Sequence, residues 1–227
     1  MTTFFRYPHT PHLAWLGAAP PRDDKVLPQA EASALLSGSM TVEEKLDGAS
    51  LGISLGDQDR LRFQNRGQYL SAPYAAQFSR LNAWAGQHKD DLLPLLQPGL
   101  ILFGEWLAAR HSIGYGNLPD WFAAFDVYDG VAGRFWCLAR RNAFLRKAGL
   151  SAAPVLAQGQ TTLSSLVALV TDSSSRFGAE AVEGVVVRRD GEQFNEGRAK
   201  LVRPGFVQGI NDHWRRRTLE WNRVRPV

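Results

Sequence analysis

With 227 residues, 44% of them hydrophobic, the chain can bury a sizeable core as one large domain or a domain with a small appendage. Its net charge of +4 favours an anionic partner. A single cysteine, Cys137, excludes a disulfide within the chain and a zinc site built on cysteines, and it fits a reducing compartment.

Residues 1–30 carry prolines and histidines without a period and read as an irregular arm with a loop at Pro20-Pro21. The first residues lack the apolar core of a signal peptide, and no apolar run is long enough to cross a bilayer. The expectation is a soluble, cytoplasmic protein with no membrane partner. Residues 31–36 form a short predicted helix ending at Gly38. Residues 40–46, 49–55 and 60–65 read as three strands of an antiparallel meander, broken at Gly48 and turning at 56–59. Apolar spacing at Tyr74, Phe78, Leu81 and Trp84 predicts a helix over 73–89. Residues 99–107 and 121–128 are apolar strands, 134–137 a short one, and 138–150 and 161–170 helices. Strands at 182–188 and 197–202 flank a turn at Asp190-Gly191, and 206–223 reads as a last helix. Strands and helices without regular alternation argue for an α+β fold.

The charge is concentrated at the end of the chain. From Arg203 onward there are six arginines against two acids, which accounts for the whole net charge. Trp214 and Trp221 are interleaved with them, a composition that suits either a solvated face or nucleic-acid contact.

Three layers of residues carry candidate chemistry. Lys45 stands at the end of a strand in Lys45-Leu46-Asp47-Gly48. A free lysine amine titrates near ~10.4, so a nucleophilic lysine needs burial or a nearby cation to lower that value. The pattern alone is weak, because a surface hairpin with an ordinary Lys–Asp pair has the same signature. Glu105, Asp126 and Glu183 lie at the ends of apolar strands, where carboxylates suit divalent cations or ribose hydroxyls. Arg198 and Lys200 share one face of a strand and suit phosphates, as does Arg66. Phe125 is placed to stack on a base. His9, His12, His88 and His213 show no metal spacing and read as structural, whereas His111 lies near the expected pocket.

The ordered set Lys45-Leu46-Asp47-Gly48, Arg66-Gly67, Phe103-Gly104-Glu105-Trp106, Phe125-Asp126-Val127-Tyr128, Glu183-Gly184-Val185-Val186 and Ala199-Lys200-Leu201-Val202 resembles the covalent nucleotidyltransferase superfamily of polynucleotide ligases and capping enzymes. The segment from Gly104 to Tyr115, with Leu118-Pro119 and Phe122 to Asp126, is similar to the RNA ligase 2-like ATP-dependent RNA ligases in particular. The resemblance runs from about residue 40 to 206. It implies a nucleotidyltransferase (ATP-grasp-like) domain of twisted antiparallel sheets flanked by helices. Residues 1–227 would form that one domain, with 1–39 an N-terminal arm and 207–227 a basic helix or tail.

The resemblance also implies roles. Lys45 attacks the α-phosphate of ATP and carries AMP, which passes to an RNA 5′-phosphate before a 3′-hydroxyl seals the ends. Lys45, Glu183 and Lys200 are the implied catalytic residues. Glu44, Ser50, Arg66, Glu105, Phe125, Glu183, Arg198 and Lys200 contact the nucleotide. Glu105, Asp126 and Glu183 serve a Mg²⁺ or Mn²⁺ ion. Lys200 helps to depress the pKa of Lys45. RNA is the implied partner, with an end-healing kinase or phosphatase acting beside it. A DNA ligase, a GTP-using capping-type transferase and a catalytically silent nucleic-acid-binding module are the alternatives. The final motif departs from the family pattern: its second cation is Arg198, or else Arg203 out of phase with Lys200.

Overall fold

The structure is a computed structural model and describes residues 4–18, 25–209 and 219–226. The helix α1 (Gln29–Leu36) leads into β1 (Met40–Lys45), β2 (Ala49–Leu55) and β3 (Leu61–Gln64). Next come α2 (Leu81–Leu92), β4 (Leu100–Trp106), β5 (Phe122–Asp129), β6 (Arg134–Phe135) and α3 (Leu138–Lys147). The chain continues through β7 (Ser151–Ala152), β8 (Val155–Gly159), α4 (Leu163–Asp172), β9 (Gly184–Asp190), β10 (Asn195–Val202) and α5 (Pro204–Gly209). Among the described residues, no helix is long and apolar enough to cross a membrane.

The strands make two sheets. One has the order β10-β9-β1-β8, all antiparallel; the other runs β3-β2-β4-β5-β6, with β7 parallel to β5. This is the expected α+β architecture of antiparallel sheets flanked by helices. Alternation along a strand decides which face each side chain meets. In the first sheet Met40, Val42, Val185, Val187, Ala199 and Leu201 share an apolar face, covered by Leu35 of α1 and by Leu166 and Val170 of α4. Thr162 caps α4 by accepting the Ser165 N–H at 3.1 Å. The opposite face is charged. Register puts Val186 between Glu43 and Lys200, Lys45 beside Gly184, and Arg188 beside Arg198. In the second sheet Leu51, Ile53, Leu102, Trp106 and Phe122 pack against Leu81, Trp84 and Leu92 of α2.

The meander expected for the first three strands does not form. β2 and β3 make a hairpin, but β1 lies between β8 and β9 in the other sheet. Asp47-Gly48 therefore carries the chain from one sheet to the other. Gly48 sits so close to the neighbouring strand that a Cβ there would lie 2.6 Å from the Trp106 carbonyl oxygen. The helix expected over 73–89 begins only at Leu81, after a 3₁₀ turn at Ala76–Phe78. β8 was not expected; its residues are mostly exposed and carry no clear alternation. The last helix expected over 206–223 is also corrected. α5 is described as far as Gly209, Trp214 and Arg215 to Arg217 lie outside the described residues, and 219–226 is not helical but bridges Ala109 and Leu118.

The N-terminal arm ties the sheets together. Phe5 stacks on Tyr128 of β5 at 3.6 Å, and its carbonyl accepts a hydrogen bond from Gln64 of β3. Farther along, the Lys200 N–H donates to the Pro11 carbonyl and the Leu13 N–H to the Lys200 carbonyl, so the arm extends the edge at β10.

Candidate active site

The charged face of the first sheet and residues of β4 and β5 in the second enclose an open cleft. Lys45, Glu44, Arg66, Glu105, Phe125 and Asp126, all expected site residues, line it together.

Lys45 ends β1, and its Nζ lies 2.7 Å from Glu183 Oε1. Its side chain keeps 28% exposure against 8% for Glu183 and lines the cleft. Burial would lower the Lys45 pKa, but Glu183, Glu105 and Asp47 outweigh it and hold the amine above its ordinary value. The depressed lysine expected from the sequence is thus reversed: Glu183, Glu105 and Asp47 together outweigh burial at the amine. The acids respond in turn. Burial, reinforced by Glu183 and Asp47 and opposed by Lys45, pushes Glu105 up to about 8. Burial raises Glu183 to about 7 against the pull of Lys45 and Lys200. Among the described residues, Glu183 Oε2 is buried with no hydrogen-bond partner, and Glu105 Oε1 accepts a 3.1 Å bond from the Gly48 N–H.

Asp47 has a different task from its neighbour. Its Oδ2 accepts the N–H groups of Ser112 at 2.7 Å and Ile113 at 2.9 Å, while its own N–H donates to the Tyr115 hydroxyl at 2.8 Å. The Lys-x-Asp-Gly spacing thus anchors the turn that follows the lysine.

Phe125 owes its position to a β-bulge. Ala124 of β5 faces Gly104, but Asp126 faces Phe103, so Phe125 is an extra residue without a ladder partner. The bulge changes the phase of the strand. Phe122 and Ala124 face the core before it and Val127 after it, which leaves Phe125 and Asp126 both turned to the cleft. The Phe125 carbonyl has no ladder bond, and two buried arginines satisfy it: Arg141 Nη1 at 2.6 Å and Arg188 Nη1 at 2.9 Å. Arg141 is itself held by both oxygens of Glu43, at 2.7 and 3.2 Å. Arg141 is fully buried. An Arg141→Ala variant removes the bidentate partner of buried Glu43, leaves it only the longer 3.5 Å pair with Arg188, and is expected to destabilise the fold by about 3 kcal/mol, read by urea denaturation.

Two expected contacts take other partners. Asp126, 1% exposed, accepts hydrogen bonds from the Tyr7 hydroxyl at 2.5 Å and from Arg188 at 2.8 Å, and it pairs with Arg198 at 3.2 Å. Burial alone would raise its pKa; Arg198 and Arg188 reverse that and hold it low. Both oxygens are engaged, which argues against the metal role expected for it. Arg198, expected at a phosphate, turns instead to Asp126 and stacks over Phe135 at 4.0 Å and Tyr7 at 5.0 Å. Lys200 occupies the same face and acts electrostatically on Glu183. Ser50 of β2 is the register partner of Glu105. The Glu44 carboxylate accepts the Arg176 N–H at 2.9 Å, away from Lys45, and burial raises its pKa. His111 hydrogen-bonds Gln77 at 2.7 Å.

Sequence reading missed Tyr7, Glu43, Arg141 and Arg188. Glu43 and Arg188 carried only a weak signal, since each directly follows an apolar residue of its strand but is succeeded by further charges. Tyr7 had none.

The RNA ligase family model matches residues 38–202, a span that holds both sheets and every expected site residue from Glu44 to Lys200. The chain belongs to the RNA ligase family. Solved structures of similar fold include three of a Naegleria gruberi RNA ligase. A mutant with ATP and Mn has 19% identity and a TM-score of 0.68, over 94% of this chain and 60% of that one. Another mutant with ATP and Mn has 21% identity and a TM-score of 0.62, over 81% and 55%. The protein with PPi has 22% identity and a TM-score of 0.63, over 93% and 65%. This chain therefore spans about three fifths of the length of those ligases. No curated protein matches it.

Proposed function

We propose that this protein is an ATP-dependent RNA ligase that works through a lysyl-AMP intermediate at Lys45. The observation that carries the reading is the Lys45–Glu183 pair at 2.7 Å, with Glu105 beside it, in a cleft that also presents Phe125. In the first step the neutral Lys45 amine attacks the α-phosphorus of ATP, an N–P bond forms, and the bond to pyrophosphate breaks. AMP then passes to an RNA 5′-phosphate, which frees Lys45. An RNA 3′-hydroxyl attacks that activated phosphate, closes the phosphodiester and expels AMP. Each transfer depends on alignment and on neutralising charge at phosphorus.

Glu105 and Glu183 fit a Mg²⁺ or Mn²⁺ ion. Among the described residues there is no cluster of three or more metal-ligating side chains, but two carboxylates completed by phosphate oxygens and water suffice for such ions. That Glu183 Oε2 has no hydrogen-bond partner among the described residues supports that assignment. A bound ion supplies charge neutralisation for the α-phosphate and the departing pyrophosphate. Glu105 and Glu183, once engaged in this way, no longer favour the charged form of Lys45. Arg66 and Lys200 contact phosphates in this reading, Glu44 meets the adenine through its backbone, Ser50 acts after adenylylation, and Phe125 stacks on adenine. Phe125→Ala is expected to raise the KM for ATP roughly tenfold with a smaller change in kcat, measured by the rate of AMP transfer to the protein. RNA with a 5′-phosphate and a 3′-hydroxyl is the substrate, so an end-healing kinase or phosphatase must precede this enzyme wherever breaks leave other ends.

Incubation with α-labelled ATP and a divalent cation tests the reading. Labelled protein that passes its label to 5′-phosphorylated RNA supports it. No label with either Mg²⁺ or Mn²⁺ overturns it, and label from GTP in preference to ATP redirects it to capping chemistry.

A further inference from the structure

The segment 219–226 packs against the loop that follows the Glu105 strand, and the contacts are specific. Asn222 is 5% exposed. Its side-chain amide donates to the Leu107 carbonyl at 2.7 Å and the Ala109 carbonyl at 3.3 Å, and its Oδ1 accepts the Tyr115 N–H at 2.9 Å. Both the donor and the acceptor of this one side chain are used to join the two limbs of the loop. Main-chain bonds repeat the pattern: Asn222 donates to Ala108, Arg223 to Tyr115 and Arg225 to Leu118, while Leu118 donates to Arg223 and Arg110 to Glu220.

The same loop holds the turn next to the nucleophile. Tyr115 is buried, and its hydroxyl accepts the Asp47 N–H at 2.8 Å. Ser112 and Ile113 donate to the Asp47 carboxylate. Asp47 is therefore gripped through both main chain and side chain by a loop that Asn222 closes, two residues from Lys45. A route of direct hydrogen bonds leads from Asn222 through Tyr115 to Asp47.

We propose that residues 219–226 form a strap that sets the Lys45 turn for attack on ATP, with Asn222 and Tyr115 as positioning residues. This rests on the reading of Lys45 as the nucleophile. It assigns the segment to the first chemical step, in place of the grip on RNA that its arginines suggest. Displacing a reacting atom by about 1 Å costs on the order of 100-fold in rate. Positions that hold the turn should therefore affect the lysine's attack and spare steps that do not use the lysine.

The test compares two reactions of the 227-residue chain. One is single-turnover transfer of labelled AMP from ATP to protein. The other is sealing of RNA supplied with a pre-adenylylated 5′ end, which bypasses attack by Lys45. Asn222→Ala is expected to slow labelling roughly 10- to 100-fold, with the ATP KM unchanged and sealing of the pre-adenylylated RNA within about twofold. Tyr115→Phe keeps the ring and removes only the acceptor for Asp47. It is expected to slow labelling roughly fivefold with the same selectivity, and it reads the effect even if Asn222→Ala fails to fold. Wild-type labelling in both variants overturns the proposal, as does an equal fall in both reactions. Loss of sealing with normal labelling also overturns it and assigns the segment to RNA. Absence of label in the wild-type protein overturns the ligase reading itself, a distinct failure.

Discussion

Lys45→Ala is expected to leave no detectable AMP-labelled protein, and Lys45→Arg is expected to do the same. The alanine variant removes the nitrogen that forms the bond to phosphorus. The arginine variant keeps the charge and can still pair with Glu183, which lies 2.7 Å from the lysine amine in the native site. A guanidinium has no accessible neutral form near neutral pH, so it cannot attack. Agreement between the two variants separates nucleophilic catalysis from simple phosphate binding, which arginine would preserve. Both variants should still seal pre-adenylylated RNA, since that reaction begins after the lysine has acted. Label at another residue of Lys45→Ala would overturn the assignment.

Glu183→Gln is expected to reduce labelling roughly 10²- to 10³-fold while leaving the fold intact, because the amide matches the carboxylate in shape. The pH dependence carries the more diagnostic sign. Glu183 is the leading influence that holds the Lys45 pKa up, against burial, which lowers it. In the native enzyme kcat/KM for labelling should rise with pH as Lys45 loses its proton, since this parameter reports groups of the free enzyme. Without the Glu183 charge, burial counts for more and the Lys45 pKa falls. The rise in the variant should therefore occur at lower pH than in the native enzyme, although its plateau is lower. An unshifted profile would mean that Glu183 does not control the protonation of Lys45. A profile shifted to higher pH would contradict the electrostatics of the site.

Local sequence made Lys45 and Glu105 visible because each stands at or next to the end of its strand. Lys45 precedes Asp47-Gly48, and Glu105 follows Leu102-Phe103-Gly104; such positions are evident without knowing which strands pair. Pairing is what the sequence withheld. Alternation tells which face a residue takes but not which strand lies beside it, so β1 was read next to β2 when it lies between β8 and β9. β8 itself is an exposed edge, and its residues lack the apolar pattern that marks a buried strand. Partners distant in sequence were equally hidden. Tyr7 and Asp126 are 119 residues apart, and nothing local to either announces the hydrogen bond. Arg198 shows the same limit at a single residue. Its face of β10 was read correctly, but its partner depended on Asp126 arriving from the other sheet.

The bulge at Phe125 has a bearing on how this chain can change over time. The extra residue turns Phe125 and Asp126 to the same side while Ala124 and Val127 stay in the core, so the ring is carried outside the ladder that packs the sheet. Deleting it would restore plain alternation, with Asp126 still turned to the cleft and Val127 still in the core. The ring is thus a separable addition to the strand, and its identity should drift more freely among descendants of the chain than the packed residues on either side of it.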